Sequence, residues 1–176
     1  MKSLAPAGLG SRPGTASNAA LLDDEQGRAL IISASMGAGH QEVSLELARR
    51  MRQRGFDCQV LDILTAAGQA GTMLRGTYRS LLRWAPWGYH AAMQAWARWP
   101  RWFERLTGIG ARPFDDAIRA AVQRFRPTIV ISTYNLASQR LGRLAAAGDV
   151  EVPTATVVID AGAHPYWVSP DIGLHL

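Results

Sequence analysis

A chain of 176 residues that is 48% hydrophobic and 19% charged is long enough for one well-cored domain, too short for two of ordinary size, and outside the composition of disordered proteins. Its formal charge of +5, carried almost wholly by arginine, suits an anionic surface or a phosphorylated ligand and is too small to demand nucleic acid. The single cysteine, Cys58, excludes an internal disulfide and a cysteine-based metal site, and it points to a reducing, cytoplasmic location.

Residues 1–27 are rich in Ala, Gly, Ser and Pro, their apolar residues have no period, and they are expected to form a mobile tail. Pro6, Gly8, Gly10 and Pro13 interrupt any signal-peptide run after Lys2. No segment reaches the roughly 20 apolar residues of a membrane span. A first strand is predicted over 28–35, apolar on consecutive residues as in a parallel sheet buried on both faces. It runs into Ser33-Ala34-Ser35-Met36-Gly37-Ala38-Gly39-His40, which reads as strand, glycine turn, helix. Glycines flanking Ala38 permit a sharp turn and the close approach of a ligand, and the free N–H groups of the new helix point into that turn. At its tip stands His40, the side-chain type whose ordinary pKa lies close enough to neutral for proton transfer. The third glycine of a dinucleotide fingerprint and the Gly-Lys-Ser/Thr of a P-loop are both missing, so a kinase-like or NAD-dependent protein is not expected.

A helix is predicted over 41–54, with Val43, Leu47, Ala48 and Met51 on one face, Gly55 as its stop, Glu42 and Glu46 early and arginines late. A second strand is predicted over 58–64, with Asp62 at its end. Residues 65–110 then break the alternation with a helical, aromatic insertion. Alternation resumes with a helix over 114–125 between Pro113 and Pro127, a strand over 128–132, a helix over 136–147 stopped by Gly148, and a strand over 154–159. This order predicts an α/β fold with a Rossmann-like, doubly wound parallel sheet. Ligands of such sheets sit beyond the carboxyl ends of the strands. Here those ends carry Ser35, Gly37, Gly39 and His40, then Asp62, then Ser132 and Thr133, then Asp160 and His164.

The insertion holds five of the six tryptophans, Trp84, Trp87, Trp96, Trp99 and Trp102. Its arginines include Arg98, Arg101 and Arg105, and Glu104 is the one acid between Arg75 and Arg112. In helical projection Trp96, Trp99, Trp102, Phe103 and Leu106 share a face and the three arginines an adjacent one, with Pro100 interrupting the run. Aromatic rings bordered by arginine match an interfacial helix on anionic lipid. Rings that simply cover the sheet, or that stack on nucleic acid, are the alternatives.

Taken together these residues resemble the N-terminal domain of the monogalactosyldiacylglycerol synthase family, which includes bacterial processive diacylglycerol glucosyltransferases. The resemblance covers residues 28–176 and is carried by the stretch from Ser33 to His40, by Val60-Leu61-Asp62-Ile63-Leu64, by the region of Tyr78, Ala85-Pro86-Trp87 and Tyr89, by Arg126-Pro127-Thr128-Ile129-Val130-Ile131-Ser132-Thr133, and by the spaced set Asp160, His164, Trp167. It implies the GT-B fold, related to the peptidoglycan N-acetylglucosaminyltransferase, with an N-terminal domain for a lipid acceptor and a C-terminal domain for a UDP-sugar. The implied reaction is inverting transfer of a hexose from the UDP-sugar to a diacylglycerol hydroxyl, with neither a metal nor another cofactor.

Because an acceptor hydroxyl is a weak nucleophile, the reaction needs a base, for which His40 is the candidate, His164 the second, with Asp160 orienting a histidine or holding the acceptor. Ser35, Gly37, Gly39, Ser132 and Thr133 would line the acceptor and donor-phosphate side. Trp84, Trp87, Trp96, Trp99, Trp102, Arg98, Arg101 and Arg105 would meet lipid. The expected partners are diacylglycerol or a related lipid, an anionic membrane surface and a C-terminal donor domain that these residues do not include, but no nucleic acid. The expected location is the inner face of the cell membrane, bound peripherally. The sequence departs from the family's usual pattern at Val43-Ser44, where alanines are usual, and at Tyr134-Asn135, where His-Pro is usual. The chain ends soon after the fourth predicted strand, so no transfer is expected from it alone. A non-catalytic lipid-binding module and another Rossmann-type sugar-nucleotide enzyme, such as an epimerase, are the competing functions.

Overall fold

The computed structural model describes residues 26–36, 38–85, 87, 88, 91, 94, 95, 98, 110–159 and 167–176. Along the chain the elements are β1 (Arg28–Ser33), α1 (Ala38–Gln53), β2 (Asp57–Asp62), α2 (Ile63–Ala66), α3 (Gln69–Trp84), α4 (Arg112–Phe125), β3 (Ile129–Ser132), α5 (Asn135–Ala146), β4 (Thr154–Thr156) and β5 (Leu174–His175). All strands pair in parallel in the order β2-β1-β3-β4-β5. This is the Rossmann-like α/β sheet that the pattern of strands and helices predicts. From β1 the chain goes to β2 on one side and returns to β3 on the other, so the strand order reverses between β1 and β3. In sheets of this kind the ligand crevice lies at that reversal, beyond the carboxyl ends of the two strands.

Alternation along β1, an interior strand, divides the core. Leu30 and Ile32 of β1 face one side with Ile63, Leu64, Phe114, Ile118, Leu141 and Leu144 from α2, α4 and α5. Ala29 and Ile31 face the other with Ala48 of α1, Cys58, Ile131 and Ala155. Two packing devices hold the first layer together. On α3, a methyl added at Gly71 would stand 1.8 Å from the Leu64 carbonyl oxygen, so only glycine lets α3 lie against α2 this closely. Between α4 and α5, the nearly buried carboxylate of Asp115 takes a two-pronged hydrogen bond from Arg140, whose Nε lies 2.6 Å from Oδ1 while Nη2 reaches Oδ2.

The structure moves several expected boundaries. Helix α1 starts at Ala38 rather than residue 41, which places Gly39 and His40 in its first turn and Glu42 beyond it. Strand β1 stops at Ser33, because Ser35 turns away to bond Asp62. Strand β2 stops at Asp62 because that carboxylate caps α2, accepting from the backbone N–H of Leu64 at 3.1 Å. Strand β4 ends at Thr156, although Val157 and Val158 still donate to the Ser132 and Leu176 carbonyls. The fifth strand, β5, is two residues long and carries no β-branched run that would announce it; backbone pairing with β4 makes it a strand. Gly55 and Gly148 have φ of 89° and 78°, as their reading as helix stops requires.

Candidate functional site at the switch point

His40 stands near the switch point because α1 begins soon after β1 ends. Its Nδ1 lies 2.8 Å from the backbone carbonyl oxygen of Thr133, the residue after β3. A carbonyl only accepts, so Nδ1 carries the hydrogen of this bond, and in the neutral ring Nε2 holds the lone pair. The ring is framed by aromatic neighbours: Tyr134 meets it edge-on with centroids 5.2 Å apart, and the fully buried Trp167 lies tilted at 6.1 Å. Trp167 is held there by the segment after it. Gln139 of α5 donates to the Val168 carbonyl at 3.1 Å, and the missing side chain at Gly142 makes room for Ser169, whose Oγ would be 2.0 Å from an added methyl.

The backbone of His40 is fixed as firmly as its ring. Its carbonyl accepts from Ser44 Oγ at 2.7 Å and from Ser33 Oγ at 3.1 Å, and Ser44 Oγ shares a 2.7 Å hydrogen bond with Thr133 Oγ1. Ser44 is fully buried. The residue that departs from the usual alanine therefore stitches α1 to the loop after β3. Its position announces it, because Ser44 stands four and seven residues before Ala48 and Met51 on the apolar face of α1.

A second cluster flanks the turn on the β2 side. Asp62 accepts from Ser35 Oγ at 2.6 Å, from the Ser35 N–H at 3.2 Å and from Thr65 Oγ1 at 2.7 Å, besides capping α2. Partial burial opposes ionisation of its carboxyl, but the hydrogen bonds from Ser35, Thr65 and the two backbone N–H groups outweigh it and hold the pKa below the ordinary value. Arg75 reaches in from α3, donating through Nη2 to Ser35 Oγ and standing 3.6 Å from Asp62 Oδ2. Nothing in the sequence pattern marks Arg75 off from the other arginines of the insertion; only the packing of α3 does.

The structure thus brings His40, Thr133, Ser132 and Ser35 to one sheet edge. Ser132 and Thr133 are fully buried and bonded inward: Ser132 Oγ donates to the Tyr134 carbonyl at 2.9 Å and accepts from Ser138 at 3.0 Å. Both hydroxyls have partners within the protein and tie the loop after β3 to its neighbours. Ser35 is likewise engaged, by Asp62 and Arg75. Gly39 is not the source of the sharp turn, because it lies in the helix without a positive φ; a methyl there would meet nothing within 4 Å among the described residues. Gly37, Asp160 and His164 lie outside the described residues, as do Trp96, Trp99, Trp102, Arg101 and Arg105.

Within the insertion, Trp84 and Trp87 are 77% and 75% exposed and Met73 is 72% exposed, so these side chains do not cover the sheet. Arg79, Arg83 and Arg98 are exposed, and the Arg83 guanidinium lies 5.4 Å from the centroid of the Trp84 ring. Among the described residues no helix is long and apolar enough to cross a membrane.

His40, with its tautomer fixed, thus stands near the switch point of a parallel sheet, and α3 carries exposed aromatic and basic side chains. The family model for monogalactosyldiacylglycerol (MGDG) synthase matches residues 40–176, beginning at His40 and covering well over half of the chain. No curated protein and no solved structure matches it. On the family match and the fold together, this chain belongs to the monogalactosyldiacylglycerol synthase family, glycosyltransferases of glycolipid synthesis, and has the fold of their N-terminal domain.

Proposed function

We propose that this chain is the acceptor-side domain of an inverting glycosyltransferase that moves a hexose from a UDP-sugar to diacylglycerol. The observation that carries the reading is the Nδ1–H···O=C bond from His40 to Thr133. It leaves Nε2 of the neutral ring as the proton acceptor. In the proposed step the diacylglycerol hydroxyl gives its proton to Nε2 as its oxygen bonds to the anomeric carbon of the hexose. The bond from that carbon to the UDP oxygen breaks, and UDP leaves with the electron pair. A base placed in this way contributes about 10² to 10⁴ in rate. Asp160 and His164 are proposed to lie on the acceptor side, and the UDP-sugar to be held by a second Rossmann-like domain. The reading calls for no metal and no resident cofactor.

The exposed Trp84 and Trp87 with their arginines support peripheral docking on an anionic membrane, which would deliver the acceptor to the crevice. The same surface would serve a lipid-binding module without catalysis. A photoactivatable diacylglycerol presented in anionic vesicles tests the reading. Adducts are expected on peptides around His40 and Thr133, lost in excess unlabelled diacylglycerol. Labelling confined to residues 73–87 would leave a docking module only, and labelling that excess lipid does not compete away would overturn both readings.

A further inference from the structure

We propose that Arg75 is a positioning residue: through Ser35 and Asp62 it ties α3 to the start of α1, so that docking of α3 on an anionic surface is felt at His40. The inference rests on the membrane reading of α3 given above. Arg79 and Arg83, one and two turns further along the helix, are exposed, whereas the Arg75 side chain is only 29% exposed and turns toward the sheet edge. There its Nη2 bonds Ser35, forty residues earlier in the chain, and faces Asp62, thirteen residues earlier.

Stability alone is a poor account of this contact. The Nε of Arg75 is buried with no hydrogen-bond partner among the described residues, and a buried donor left unpaired is costly. Asp62 already accepts four hydrogen bonds without it. The position of the contact has a mechanical consequence. Ser35 is three residues before the start of α1, and His40 lies in the first turn of that helix. On the far side the His40 ring and carbonyl are pinned to Thr133, Ser33 and Ser44. The turn is thus held between the sheet and α3. Any displacement of α3 that draws on Arg75 acts on Ser35 and, through a short connection, on the histidine.

The test uses the 176-residue chain with ¹⁵N-labelled histidine and tryptophan, titrated with small bicelles containing an anionic phospholipid. In the wild type the Trp84 indole and the His40 ring signals are expected to shift together. Arg75→Met keeps an apolar stem on α3 and should retain the Trp84 shift while losing most of the His40 shift. Arg75→Lys should restore at least half of the His40 response, which a merely structural role would not require. Ser35→Ala removes the hydroxyl that Arg75 holds and should behave as Arg75→Met, providing a second route if that variant folds poorly. A His40 response of wild-type size in Arg75→Met or in Ser35→Ala overturns the proposal. A wild type whose Trp84 responds and whose His40 does not also overturns it, and leaves membrane docking standing. If Trp84 itself does not respond, the membrane reading fails and the coupling falls with it.

Discussion

At Ser44 a single hydroxyl joins two elements, bonding the His40 carbonyl and Thr133 Oγ1 inside a fully buried site. Ser44→Ala leaves the Thr133 hydroxyl with only a 3.4 Å contact to the Ile32 carbonyl. The variant is expected to lose about 1–3 kcal/mol in a urea titration, the cost of an unsatisfied buried polar group. Asp62 predicts a pH dependence. Its carboxyl has a folded pKa below the ordinary 3.8, so the folded state binds fewer protons there than the unfolded chain. The stability it contributes is present above 3.8 and is lost as the pH falls through the lower folded value. The stability gap between wild type and Asp62→Asn, measured by denaturant titration at a series of pH values, should therefore be widest near neutrality and close in acid. A gap unchanged down to the acid limit would remove the assignment.

Among the elements, α3 and α5 depend on contacts that helical pattern cannot show. Gly71→Ala places a methyl on the Leu64 backbone, which has no rotamer with which to yield, and α3 must lift from α2. A loss of about 1–3 kcal/mol is expected, with faster proteolysis between residues 66 and 84 as the local sign. Asp115→Ala strands the Arg140 charge between α4 and α5, where both partners are about nine-tenths buried. Removing one partner of such a pair costs about 3–5 kcal/mol, and replacing both by apolar residues of similar volume costs far less. Chemical denaturation of Asp115→Ala and of Asp115→Leu/Arg140→Met separates the two cases. Helices α4 and α5 were legible from their apolar spacing and their Gly and Pro punctuation. The pair was not, because a charged residue on a helix reads as solvent-facing until its neighbour is known.

For the whole molecule, the sheet buries its chemistry at one edge and leaves α3 with Trp84, Arg79 and Arg83 exposed. If this surface meets anionic lipid, each arginine near the headgroups contributes on the order of 1 kcal/mol, an attraction whose range shrinks from about 10 Å at 0.1 M salt to about 3 Å at 1 M. Vesicle flotation should therefore weaken about tenfold or more across that range, and the residual binding at high salt should be lost in Trp84→Ala/Trp87→Ala. Salt-insensitive recovery would argue against an electrostatic dock.

The parallel sheet, the first strand, the helix that follows and the histidine near that helix's start are all local patterns. Period, punctuation and residue type decided them, which is why the α/β fold and the family were readable from the sequence alone. Long-range packing decided the rest. The hydrogen bond that fixes the His40 tautomer spans 93 residues, and the Arg75 contact to Ser35 spans 40. The inward turn of Ser132 and Thr133 and the short strand β5 likewise depend on partners that come together only when the sheet closes. No spacing rule reaches across such separations, because a side chain's partner is set by where strands pair and helices cross, and that geometry exists only in the folded molecule.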